Sequence, residues 1–168
     1  IVEFIRKGIV WEEWLDNFKE GLAAPGGKDK MLFDLTITGP GMFSIKDLFD
    51  LSLELDVRIE TKIMFAFHPD IIFSPFAWPK HILARKIDEL LEYIEPRATG
   101  KQATLVNTLR EMRNRPSFEE DYPEQFVQGK KNGKGFQDRL DEIRDEKITI
   151  ADIYKADDEL YEWWISND

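Results

Sequence analysis

Apolar residues recur along the chain at two spacings, and the alternation between them predicts the fold. Trp11, Trp14, Leu15, Phe18 and Leu22 fall at i, i+3, i+4, i+7 and i+11, one stripe of an amphipathic helix. Ala23-Ala24-Pro25-Gly26-Gly27 ends it, since proline and paired glycines favour a turn. Over 31–38 the spacing drops to two, with Phe33, Leu35 and Ile37 alternating as in a strand. Gly39-Pro40-Gly41 breaks this strand, and Ser44 with Asp47 is placed to cap a helix carrying Ile45, Leu48 and Phe49. A second strand is predicted over 56–66, where Val57, Ile59, Thr61, Ile63 and Phe65 alternate with Arg58, Glu60, Lys62 and Met64.

A long loop then runs from Ala66 to Pro79. Leu83, Ile87, Leu90, Leu91 and Ile94 mark a helix stopped near Pro96, and Leu105, Leu109 and Met112 another stopped near Pro116. Residues 117–135 are polar and aromatic and end in Gln128-Gly129-Lys130-Lys131-Asn132-Gly133-Lys134-Gly135, which reads as an exposed loop. Phe136, Leu140 and Ile143 suggest a short helix face, and Ile150, Ile153, Tyr154, Leu160, Tyr161 and Trp164 a last helix.

Two strands separated by a helix predict a βαβ unit with parallel pairing. Two parallel strands do not make a stable sheet alone, so further strands are expected from another chain or from preceding sequence. The chain opens on Ile1 rather than Met, within half-apolar sequence, and is read as the C-terminal part of something longer.

Composition narrows the function. The 168 residues suffice for one ordinary domain, and 42% hydrophobic with 33% charged residues is a globular balance. The net charge of −10 disfavours non-specific nucleic-acid binding. The acid is uneven: residues 117–168 carry 15 Asp/Glu against 7 Lys/Arg, leaving only −2 for residues 1–116. Two parts are therefore expected, a weakly charged body over 1–116 and an acidic helical extension over 117–168. Cysteine is absent, which removes disulfides, thiol catalysis and cysteine-held clusters from these residues. No apolar run reaches membrane-spanning length, and no signal-peptide pattern opens the chain.

Several chemical motifs fail on their spacing. The Gly129–Gly135 segment is one residue too short for a phosphate loop and has Gly135 where the hydroxyl residue belongs. His68, Asp70 and His81 match no standard metal spacing. Asp157-Asp158-Glu159 lacks the alternation and glycine of a calcium loop, and Arg110, Arg113 and Arg115 read as complements to a helix C-terminus. Two strand ends are more informative. Gly39-Pro40-Gly41 follows the first strand, and the long loop from His68 follows the second. Ligands in α/β folds bind beyond strand C-termini, so both loops face one candidate site.

Val2-Glu3-Phe4-Ile5-Arg6-Lys7-Gly8, followed by Trp11-Glu12-Glu13-Trp14-Leu15-Asp16-Asn17-Phe18, resembles the segment after the fourth barrel strand of radical SAM enzymes. The likeness is to the branch with a twitch-type auxiliary-cluster domain. The Leu35–Leu48 strand–turn–helix, the strand running to His68-Pro69, the Ser74–Pro79 loop and the late Phe136–Arg144 element match in order. The resemblance implies an α/β fold: the second half of a partial (β/α) barrel with parallel strands, followed by a helical C-terminal extension. It implies a [4Fe–4S] cluster held by a C-x-x-x-C-x-x-C motif in a missing N-terminal half, S-adenosylmethionine cleaved reductively, hydrogen abstraction from an unidentified substrate, and a cytoplasmic setting. Without that half the chain is expected to be inactive.

On the same resemblance Arg6 would pair with the carboxylate of S-adenosylmethionine, a group its guanidinium fork suits. Thr38, Gly39 and Gly41 would lie beside the cofactor, and His68 and Asp70 would face substrate. The family often has Asn around the Gly41 position, where this chain has Gly. The alternative is a non-enzymatic acidic adaptor that folds against a partner chain through its 5 Trp and 12 Phe. A stand-alone metal-dependent hydrolase has too few ligands.

Overall fold

The computed structural model describes residues 8–65, 71–143 and 148–166. Over these residues the protein is mixed α/β, mostly helical, with two parallel strands. Helix α1 (Trp11–Ala23) forms on the predicted stripe: Trp11, Trp14 and Phe18 stack successively at 5.1 and 5.2 Å, and Phe18 packs on Phe33 at 4.8 Å. The Pro25-Gly26 turn closes it, with Gly26 in the left-handed region at φ 74°. The short α2 (Gly27–Lys30) then leads into β1 (Leu32–Ile37).

Strand β1 pairs in parallel with β2 (Arg58–Ile63), in register from Leu32 opposite Arg58 to Ile37 opposite Ile63. The connection is α3 (Ile45–Glu54). Its capping differs from expectation, because the Ser44 side chain makes no capping bond. A 3-10 turn over Pro40–Ser44 runs straight into α3, so the first amides continue a turn instead of opening one. Asp56, at φ 55°, reverses the chain after α3, held by the Lys101 ammonium on its carbonyl and, at 2.7 Å, on its carboxylate.

Helices α4 (Lys80–Ile94) and α5 (Ala103–Asn114) lie against each other, and α5 also packs on β2. Thr61 and Thr108 share a hydrogen bond of 2.6 Å, and Gln102 Nε2 donates to Val57 O, tying α5 to the strand. Side chains alternate across a strand, so one face of the sheet presents Phe33, Leu35, Ile37, Ile59, Thr61 and Ile63. The α1 rings and α5 cover this face. It merges with α3 and α4 into one apolar cluster built on Phe49, Leu83, Ile87 and Leu90.

The predicted loop over 66–79 is buried where it is described. Residues 71–73 and 75–77 form 3-10 turns, and Ile71, Ile72, Phe76 and Trp78 are core residues. The acidic part also departs from expectation. After α6 (Phe118–Asp121), one helix, α7 (Pro123–Ile143), runs through the predicted Gly-Lys loop and the predicted short helix alike. Phe126, Gly129, Lys130, Gly133 and Gln137 are buried along one of its faces, and α7 packs on the Ile71–Phe73 turn. Each glycine costs helix about 1 kcal/mol relative to alanine, a cost that packing of this face offsets. Ile143, by contrast, is 74% exposed.

The predicted last helix is two, α8 (Ile150–Tyr154) and α9 (Asp158–Ile165). The break falls before Asp157, whose carboxylate accepts the Leu160 amide as the cap of α9. Tyr154, Leu160 and Trp164 belong to the same buried cluster as the strands. Among the described residues no helix is long and apolar enough to cross a membrane.

Candidate functional site

The turn that follows β1 is built by the residues the sequence singles out. Thr38 is buried, and its Oγ1 accepts the Gly41 amide at 3.0 Å. The Gly39 amide donates to Phe73 O at 2.6 Å, which fixes the turn to the connection leaving β2. Glycine is needed at 39 for space and not for backbone conformation, since its φ is −51°. A Cβ there would stand 2.9 Å from both Trp78 Nε1 and Tyr154 Oη. Gly39→Ala is therefore expected to cost about 1–3 kcal/mol by overpacking, read as a lower urea midpoint at unchanged m-value. A midpoint within error of the parent would show that Trp78 and Tyr154 yield freely.

Trp78 and Tyr154 roof this turn. Trp78 Nε1 donates to Tyr154 Oη at 3.1 Å, the rings meet edge to face at 5.6 Å, and Phe43 leans on both. Burial pushes the Tyr154 phenol well above its usual range, with the Trp78 bond acting the other way. Tyr154 thus stays protonated near neutral pH and acts as a fixed acceptor, not as an acid or base.

The structure brings Thr38, Gly39 and Gly41 into this single turn, with Gly41 half-buried at its outer side. Arg6, His68 and Asp70 lie outside the described residues. His81 stands on α4 and bonds Glu159 at 2.8 Å, within a surface network in which Arg85 also holds Asp157 and Glu159. Among the described residues no group of three His, Cys, Asp or Glu could hold a metal. Arg110, Arg113 and Arg115 form no shared anion site, since they pair separately with Glu95, Asp88 and Glu111.

The sheet face turned away from the helices is the feature that sequence reasoning left unused. It presents Asp34 and Thr36 from β1 and Arg58, Glu60 and Lys62 from β2. Lys62 pairs across the strands with Asp34 at 2.6 Å, and Arg58 pairs with Glu60 at 3.1 Å. The Lys62 and Asp34 side chains remain 67% and 52% exposed. Its signal in the sequence was the alternation itself, because Asp34 in β1 and Arg58, Glu60 and Lys62 in β2 are charged.

No family model, curated protein or solved structure matches this chain.

Proposed function

We propose that this chain is the second half of a radical-SAM-type partial (β/α) barrel, with residues 117–168 as a helical extension that packs on the turns following β1 and β2. The observation that carries the reading is a parallel strand pair that, among the described residues, is covered by helices on one face only, with Asp34, Thr36, Arg58, Glu60 and Lys62 on the other. All-parallel sheets are normally covered on both faces, and a barrel is the arrangement in which the second face looks inward. A charged inner face suits a lumen that takes a polar substrate, and would leave an apolar barrel core unfilled.

In this reading the cluster ligands come from a preceding segment, because these 168 residues contain no cysteine. Bound S-adenosylmethionine would supply a 5′-deoxyadenosyl radical for hydrogen abstraction, in a reducing cytoplasmic setting. This chain's residues supply positioning. Arg6 would clamp the cofactor carboxylate, and His68 and Asp70, following β2, would meet substrate. Thr38, Gly39 and Gly41 would serve as a rigid wall, since the Thr38 hydroxyl already holds the Gly41 amide and Gly39 already holds Phe73 O.

The coding sequence upstream of Ile1 tests this first. Three or four further βα units need roughly 100–130 residues at about 250 residues per eight-unit barrel. A C-x-x-x-C-x-x-C in that stretch is expected, together with release of 5′-deoxyadenosine when the longer protein, prepared without oxygen, is reduced with S-adenosylmethionine. A longer chain without clustered cysteines overturns the enzyme reading. It would leave the acidic adaptor, with a partner chain covering the charged face.

A further inference from the structure

Lys130 lies on the inward face of α7 and is only 9% exposed. Its ammonium stands 4.2 Å from the ring centre of Trp163 on α9 and 5.9 Å from that of Phe126. Lysines are almost never buried without a carboxylate, because an ammonium removed from water needs an opposite charge and acceptors. Among the described residues the charged groups that face it are Glu119 on α6, with no ion pair between them, and Lys134 one turn along α7. Two aromatic rings stand where the carboxylate would be. They tolerate a cation, yet they supply no strong acceptor for its three donors.

A second group on the same face is also unmatched. Gln137, seven residues on and about 10 Å along the helix, is 1% exposed. Its Nε2 donates to Asp141 at 2.6 Å, while its Oε1 is enclosed and has no hydrogen-bond partner. Lys130 keeps 9% of its surface exposed, a narrow contact with solvent that Gln137 lacks. Gly133 lies between the two, and neither it nor Gly129 adds a side chain to this face.

We propose that Lys130 is a nucleophilic amine that takes up an aldehyde or ketone as an imine. The neutral amine is the form that attacks, and an apolar setting without a carboxylate favours that form. Nζ bonds to the carbonyl carbon, the carbon–oxygen bond breaks, and the oxygen leaves as water with the two amine protons. No oxidant or reductant takes part. Gln137 Oε1 offers an acceptor to a hydroxyl or amine farther along the ligand.

The test is trapping on the full 168-residue chain. The protein is incubated with pyridoxal at pH 7.5, reduced with borohydride, and mapped by peptide mass spectrometry. Lys130 is expected to be modified at least ~10-fold faster than the mean of the other lysines. Its rate should level off above about pH 8, where burial places its titration, while ordinary lysines keep accelerating to beyond about pH 10. Lys130→Arg should abolish the fast phase with the far-UV circular dichroism unchanged. Modification of Lys130 no faster than that mean, or a fast phase that survives in Lys130→Arg, overturns the proposal.

Discussion

Trp78→Ala is expected to lower stability by about 3–5 kcal/mol, the range for truncating a buried tryptophan. The side chain is 1% exposed and ranks among the largest fully buried groups of the chain. It touches three separate parts of the sequence: the Gly39 turn, Phe43 in the following 3-10 turn, and Tyr154 in α8. Removing it also leaves the Tyr154 hydroxyl buried without the Trp78 donor, a loss of about 1–3 kcal/mol in its own right. Trp78→Phe keeps a ring but loses the donor together with the volume of the second ring, so the double-mutant cycle with Tyr154 isolates the hydrogen bond. Its cost should be about 1–3 kcal/mol, and the double variant Trp78→Phe with Tyr154→Phe should cost less than the sum of the singles, since both hydrogen-bonding groups are then gone. Chemical denaturation followed by tryptophan fluorescence and by circular dichroism reads the parent and all four variants. A loss below 1 kcal/mol in Trp78→Ala would mean that the roof over the turn carries little of the fold.

That contact also marks where the sequence was legible and where it was not. The β1–α3–β2 unit could be read because its periods are local: Phe33, Leu35 and Ile37 alternate, and the Trp11–Leu22 stripe repeats every three or four residues. The Gly39-Pro40-Gly41 turn was also found, as a break after a strand, whereas Thr38 was singled out only through the family resemblance. Their roof was not, because Tyr154 lies 76 residues from Trp78 and no local pattern links them. Helix α7 was missed for the opposite reason. Gly129, Gly133 and Gly135 are locally unfavourable in a helix, and only tertiary packing of the Phe126–Gln137 face overrides that preference. The charged sheet face was visible as alternation, yet a single sequence does not distinguish a strand face open to solvent from one turned towards a lumen.

Lys130→Met is expected to raise stability by about 1–2 kcal/mol at pH 7, against the usual direction of substitutions at buried sites. Burial holds the Lys130 ammonium at about 8, below the ordinary lysine value of 10.5, with Glu119 opposing the shift and Lys134 adding to it. A full conversion of that difference would give about 3 kcal/mol at 1.36 kcal/mol per unit, which partial solvent contact and the lost attraction to Trp163 reduce. The sign follows from proton counting. Between pH 8 and 10.5 the unfolded chain binds more protons at this site than the folded one, so stability rises with pH across that window. Below pH 8 both states are protonated and the whole penalty is present; above 10.5 both are neutral and it is gone. Other groups titrate in the same range, so the informative quantity is the variant's stability minus the parent's, from urea unfolding at pH 7, 8, 9, 10 and 11. This difference should be largest at pH 7 and 8 and shrink towards pH 10.5 and beyond, as the parent is relieved of its buried charge. A variant less stable than the parent at pH 7 would mean that cation–π attraction to Trp163 outweighs desolvation, and the amine would then remain protonated and unreactive. A variant that is more stable and no longer trapped by pyridoxal would place the instability and the nucleophilicity in one nitrogen, as expected of a lysine held short of its counter-charge.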